Sequence, residues 1–261
     1  MAGVPFLSRL ERFASVDSTQ RVVRGWLEQG VAEVAVAVAD EQSAGRGRHG
    51  RTWVAPRDAA LLVSCGFRPR GLPLARGWQL AATASLAMVD AAEEAAGLPD
   101  GTLWLKWPND IVAGEAPRKV AGVLGETVAD GDLVASAVVG VGVNADWQAR
   151  DFPADIAEGM TSLRELARRP VDRDRLLQAF LDRLEPRYEA LRGGRFDAAA
   201  WSTRQRQTGH RVEVASGERL VEGLAVGVDP ASGALLVEQE GRRIELDSGE
   251  VVRCRITAAG R

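Results

Sequence analysis

Cysteine and histidine are nearly missing from this chain, with two of each in 261 residues. Cys65 and Cys254 stand far apart and form no C-x-x-C pair, which suits buried thiols in a reducing compartment. With only His49 and His210 beside them, a zinc site lacks its ligands. A positive excess is missing too. Lysine and arginine number 33 against 36 aspartates and glutamates, a net charge of −3, which speaks against a dedicated nucleic-acid binder. No apolar run is long enough to span a bilayer, and no repeat stands out. The start, Met1-Ala2-Gly3-Val4-Pro5, lacks the basic-then-apolar pattern of a secretory signal. The expectation is a cytoplasmic protein with no membrane partner. What remains is ordinary for a globular protein, 46% hydrophobic and 26% charged. The length suits one large domain, or a large one plus a small one.

The densest signal is Gly45-Arg46-Gly47-Arg48-His49-Gly50-Arg51-Thr52-Trp53. Its glycines permit tight turns and close approach to a ligand. Its arginines are always charged, and their forks match a carboxylate or a phosphate. Trp53 adds an aromatic face. The run reads as a cationic flap for an anionic small molecule, or else as a solvated basic turn or nucleic-acid patch. It is no P-loop. Arg51 stands in the lysine position, and Trp53-Val54-Ala55-Pro56 is a poor helix start.

Along the chain, Asp17-Ser18-Thr19-Gln20 precedes Val22, Val23, Trp26 and Leu27, which share one helix face. Ser18 or Asp17 caps this helix, or the hydroxyls of Ser18 and Thr19 line a pocket at its N-terminus. Residues 33–39 (EVAVAVA) read as a strand. Gln42 follows, either a loop residue or a reader of an amide-like ligand edge. Residues 61–67 form a second strand, and a long helix covers 76–96, closed by Gly97. Lys106-Trp107-Pro108-Asn109-Asp110 ends another strand, because Pro108 lacks a donor and restricts its predecessor. Asn109 and Asp110 then sit just past a strand end, where open sheets commonly bind ligands. Asp110 either holds Mg²⁺ together with phosphates or belongs to a plain Asn-Asp turn.

Lys119 enters an otherwise apolar strand, pointing to water from an edge or held as a charge at a pocket. Val139-Gly140-Val141-Gly142-Val143-Asn144 ends the next strand. Its glycines clear one face, either for something bulky or for a tightly packed helix. Asn144 can read a purine edge or support a metal–phosphate group. Helices are expected over 163–167, 172–191 and about 198–206, with Pro186 bending or breaking the second. From Gly209 the texture turns to short β runs at 211–215, 220–228, 234–239, 242–246 and 251–256, which suggest a small all-β barrel.

Together these motifs resemble a biotin protein ligase. The resemblance covers nearly the whole chain: Asp17-Ser18-Thr19, Gln42, the flap, the Lys106-to-Asp110 run, Lys119-Val120-Ala121-Gly122 and the glycine strand fall in the family's order. It implies an α+β fold, with a mixed β-sheet catalytic domain packed with helices over 1–206 and an SH3-like β-barrel over 207–261. It also implies two steps. Biotin and MgATP give biotinyl-5′-AMP, and a lysine of a biotin carboxyl carrier domain of a carboxylase then takes the biotin. Carried over, Lys119 and Arg48 are catalytic. Ser18, Thr19, Gln20, Gln42, Arg46, Gly47, Arg48 and Lys119 bind biotin. Arg46, Arg48, Trp53, Asn109, Asp110, Lys119 and Asn144 serve the nucleotide, and Asp110 the Mg²⁺.

Gln20 departs from the Asn common in the family, and His49 from an Arg found in some relatives; His49 receives no role. The Asp17-Ser18-Thr19 motif comes too early for a winged helix-turn-helix before it, so no DNA partner is expected. Exposed β edges make a homodimer an open expectation. The rival readings are a lipoate or octanoate ligase, which the flap and the Lys106-to-Asp110 run oppose, and a non-catalytic nucleic-acid module, which leaves Asn109, Asp110 and Lys119 unexplained.

Overall fold

The computed structural model describes residues 6–255. The start Met1 to Pro5 and Ile256, last residue of the expected final strand, lie outside the described residues. The first lobe contains β1 (Arg9–Phe13), α1 (Thr19–Glu28), β2 (Ala35–Ala39), β3 (Ala60–Phe67), α2 (Trp78–Ala96) and β4 (Leu103–Lys106). It continues through β5 (Asp110–Ala113), β6 (Arg118–Asp130), β7 (Leu133–Asn144), α3 (Leu163–Ala167), α4 (Arg173–Arg192) and α5 (Ala198–Thr203). Seven strands form one mixed sheet in the order β1-β2-β3-β7-β6-β5-β4. Only β1 and β2 run parallel; every other neighbouring pair is antiparallel.

The alternation of side chains across this sheet assigns its two faces. Val36, Val38, Leu61, Val63, Cys65, Phe67, Val139, Val141 and Val143 pack in one core with α2 and α4. Ala35, Ala37 and Val138 point the other way and pack with Val23, Trp26 and Leu27 of α1. Coverage on both sides explains why all eight residues of β3 are buried, and burial pushes the Cys65 thiol up to about 12, so it is inert. Gly66 lets α1 settle on the sheet: a Cβ there would lie 2.6 Å from Val23 Cγ1 and 3.2 Å from Leu27 Cδ1.

Two elements differ from expectation. β1 is a short edge strand whose three charged residues among five, Arg9, Glu11 and Arg12, hid it. α4 runs through Pro186 unbroken. Pro186 lies on the exposed side, while Leu184, Tyr188 and Leu191 hold the helix from within.

The second lobe is a five-stranded antiparallel sheet in the order β11-β10-β9-β8-β12, built from β8 (Arg211–Ser216), β9 (Arg219–Val228), β10 (Leu235–Gln239), β11 (Arg242–Leu246) and β12 (Glu250–Arg255). Residues 204–207 join it to the first lobe along β4, with Leu105 N donating to Arg204 O (2.8 Å) and Arg206 N to Leu105 O (2.7 Å).

Gly66→Ala should lower stability by about 1–3 kcal/mol, the usual cost of overpacking. The expected signature in urea unfolding is a lower midpoint at unchanged slope.

Candidate active site

The face of the sheet that α1 only half covers becomes a floor. In Val139-Gly140-Val141-Gly142-Val143 the valines enter the core beneath α2 and α4, so the glycines lie on the opposite face. Gly142 pairs with Gly122 of β6, which widens the bare strip. A Cβ on Gly142 would stand 2.6 Å from Trp53 Cε2, and one on Gly140 2.9 Å from Gln20 Cγ. Both readings of these glycines therefore hold in part: the first turn of α1 rests on Gly140, and the flap tryptophan rests on Gly142. Above this floor opens a cavity of about 720 Å³.

One wall is the start of α1. Ser18 occupies the N-cap position, but its hydroxyl makes no capping bond, which corrects that expectation. The N–H of Thr19, first in the helix, is instead met from outside it. Gln42, arriving from β2, presents Oε1 to the Thr19 N–H (2.8 Å) and to Thr19 Oγ1 (3.0 Å). Asp17 Oδ1 accepts from Ser18 N (2.6 Å). Thr19 Oγ1 also lies 2.8 Å from Ser64 Oγ, and Gln20 Nε2 donates to Leu124 O (2.8 Å). Ser18 therefore lines the cavity with its hydroxyl uncommitted.

The opposite wall carries the charges. β6 lies between β5 and β7, so Lys119 is no edge residue. Its Nζ stands 2.7 Å from Asp110 Oδ1 and 5.5 Å from the Trp53 ring centroid. That oxygen is buried without an aligned hydrogen bond, so the attraction is Coulombic. Asp110 opens β5 rather than trailing a strand end: Trp107-Pro108-Asn109 forms the turn of an antiparallel hairpin in which Lys106 faces Asp110. Asn109 Nδ2 donates to Val123 O (2.8 Å). Asn144 stands off the cavity wall. Its Nδ2 donates to Thr161 O (3.0 Å) and Lys119 O (3.4 Å), so it braces the strand that carries the lysine and has no amide donor to spare for a purine.

The flap forms the roof. Gly47 N donates to Arg51 O (2.7 Å) and Trp53 N to Gly45 O (3.0 Å), which closes the loop on itself. His49 takes the left-handed φ of 54° at its tip and lines the cavity without a hydrogen bond to its side chain among the described residues. Arg46 pairs with Glu126, which also holds Arg24 of α1. Arg48 Nη1 donates to Gly249 O (3.3 Å), and Arg51 forks onto Glu250 at 3.0 and 2.6 Å. Burial lowers the Arg48 guanidinium from its ordinary value, against the pull of Asp110 and Glu250. The Arg51 fork holds the Glu250 carboxyl below the usual glutamate range.

All the sequence-expected residues except Asn144 thus meet at one cavity. Sequence reasoning missed a further wall, Asp155, Ile156, Glu158, Gly159 and Met160, and missed Glu250 from the second lobe. Neither has a local signature. Each is brought in by tertiary pairing, as when Thr161 N bonds Lys119 O (2.9 Å).

The profile of the Biotin/lipoate A/B protein ligase family matches residues 12–144. That of the Biotin protein ligase C terminal domain matches residues 208–253. The Biotin--[acetyl-CoA-carboxylase] ligase of Mycobacterium tuberculosis is 35% identical over 223 residues, 84% of this chain and 79% of that protein. The Bifunctional ligase/repressor BirA of Bacillus subtilis is 32% identical over 228 residues, 87% of this chain and 68% of that protein. The solved structure of the biotin protein ligase from Aquifex aeolicus in complex with biotin and ATP superposes with a TM-score of 0.78 at 29% identity, covering 95% of this chain and 99% of that one.

The Arg51–Glu250 pair makes the roof sensitive to acid. A depressed carboxyl contributes fully above the ordinary glutamate value of 4.5 and loses that contribution as pH falls through its lowered value. Hydrogen-exchange protection over 46–52 should drop between about pH 6 and about pH 3 while the central sheet stays protected. Glu250→Gln should show the low protection at both pH values.

Proposed function

The chain belongs to the biotin/lipoate A/B protein ligase family, and on that footing we infer that it is a biotin–[biotin carboxyl carrier protein] ligase. It joins biotin to AMP and then passes biotin to a lysine of a carrier domain. The observation that carries the reading is the Lys119–Asp110 pair over a bare glycine floor, roofed by arginines.

In the first step a carboxylate oxygen of biotin attacks the α-phosphorus of ATP. The bond from that phosphorus to the oxygen bridging to the β-phosphate breaks, and pyrophosphate leaves. Two anions must meet, so fixed positive charge near the reacting atoms lowers the barrier. Lys119 supplies it from the wall, with Arg46 and Arg48 from the roof; we regard Lys119 and Arg48 as catalytic. In the second step the carrier amine attacks the anhydride carbonyl, loses a proton, and AMP leaves. A closed roof keeps water from the anhydride in between.

Within this proposal Ser18, Thr19, Gln20 and Gln42 hold biotin together with Arg46 and Gly47, and the uncommitted Ser18 hydroxyl supports that assignment. Trp53, Asn109 and Asp110 serve the nucleotide, and Asn144 acts only through the Lys119 strand. Asp110 is our candidate for Mg²⁺. Its buried Oδ1 makes no aligned hydrogen bond and faces the Lys119 ammonium at 2.7 Å, and one carboxylate plus substrate phosphates is the usual Mg²⁺ arrangement. Among the described residues no cluster of three or more His, Cys, Asp or Glu side chains would hold a metal unaided. When bound, the ion would offset phosphate charge. We place the domain boundary at 206/207. An acyl-CoA or pyruvate carboxylase carrier as acceptor, a homodimer and a cytoplasmic location belong to the same proposal. No helix among the described residues is long and apolar enough to cross a membrane.

ATP–pyrophosphate exchange with and without biotin tests the reading. Exchange should depend on biotin, and equal exchange without it would overturn the inference. Lys119→Ala should lower the biotin-dependent rate by about 100-fold or more while urea unfolding stays cooperative.

A further inference from the structure

The turn that carries Asn109 and Asp110 is held from two sides. On the inner side Asn109 Nδ2 donates to Val123 O (2.8 Å), and Val123 N donates to Asn109 O (2.9 Å). On the outer side stands Trp107, 3% exposed. Its indole Nε1 donates to Gly233 O (3.0 Å), and its backbone N–H donates to Gln207 Oε1 (3.3 Å). Gln207 lies in the segment that joins the two lobes and is itself buried.

The amide of Gln207 has only one workable orientation. A backbone N–H can only donate, so Gln207 must turn Oε1 to Trp107. Its Nε2 then donates to Gln205 Oε1 (2.8 Å). That leaves Gln205 Nε2 buried with no partner among the described residues. A buried orphan donor is unfavourable, and here it follows from satisfying Trp107 first. The segment itself is fixed at its start, where Arg204 bonds Glu93 (3.1 Å) and Asp90 (3.2 Å), and Glu93 Oε1 accepts from Leu103 N (2.8 Å). It is therefore a rigid rail laid along β4.

We propose that Gln207 is a positioning residue for the ligation reaction: by fixing the backbone of Trp107 it sets where Asn109 and Asp110 stand against Lys119. The proposal rests on the function inferred above. Gln207 lies outside the cavity lining and acts only through the turn. The walls offered by Ser18, Thr19, Gln20 and Gln42 belong to the other side of the cavity, so biotin capture does not depend on it.

The test uses the full chain and separates kcat from KM in biotin-dependent ATP–pyrophosphate exchange. Gln207→Leu keeps the volume and removes the acceptor. Its kcat should fall by about tenfold or more, since small misplacements of reacting groups carry losses of that order, while KM for biotin should stay within about twofold. Gln207→Glu keeps an acceptor for Trp107 and lets Gln205 turn its amide to donate, so kcat should return to within about threefold of wild type. A Gln207→Leu chain with wild-type kcat overturns the proposal, and so does a loss that Gln207→Glu leaves unrestored. Should Gln207→Leu fail to fold, Gln207→Asn, whose acceptor falls one methylene short, should show the same kcat loss, and wild-type kcat there overturns the proposal equally. Absence of biotin dependence in the wild-type chain would instead sink the underlying function.

Discussion

Lys119 and Asp110 hold opposite charges 2.7 Å apart with about three quarters of each side chain removed from solvent. Withdrawing such ions from water costs several kcal/mol each, and their attraction offsets this only when their geometry is held. Much of the surrounding architecture does that holding. Asn144 ties the lysine strand to the segment ending at Thr161. Asn109 fastens the hairpin of Asp110 to β6. Burying the lysine in the middle of a sheet, with β5 and β7 on either side, removes the freedom that an edge position would leave it.

The central sheet serves two purposes through one alternation. Its valine face joins α2 and α4 in the main core. Its glycine face is cleared for Gln20, Trp53 and the cavity. The cavity floor is made largely of backbone, on two strands paired at the centre of the sheet. The roof hangs from Glu126 on one side and from Gly249 and Glu250 of the second lobe on the other.

The legible parts of the site were those whose chemistry is written in contiguous residues. The flap, the Lys106-to-Asp110 run and the glycine strand each carry a local pattern, and the structure brings all of them to one cavity. What escaped depends on distant partners. The Ser18 cap was misjudged because nothing local shows that the start of the helix is met from outside, by Gln42, 23 residues beyond Thr19. Asn144 looked like a ligand contact because nothing local reveals that two carbonyls absorb its amide. Pro186 signals a break by propensity alone, and the packed face of α4 overrides it. The β segments after Gly209 were readable because turn residues punctuate them at short intervals, whereas the single strand β1 has only the neighbouring β2 to define it.

Three of the cations at the cavity are stored as neutralised pairs. Arg46 sits on Glu126, Arg51 on Glu250 and Lys119 on Asp110. Around the opening, Arg46, Arg48, Arg51, Lys106 and Lys119 face Asp110, Asp155, Glu158 and Glu250, so the residual monopole is small. The field of a compact pair fades faster with distance than that of a lone ion, and physiological electrolyte shortens its reach further. Incoming anions are thus not drawn from afar. On the reading proposed above, an anion gains its hold at contact by displacing an internal carboxylate from one of these cations, and the encounter rate is then close to indifferent to ionic strength even though the binding groups are full charges.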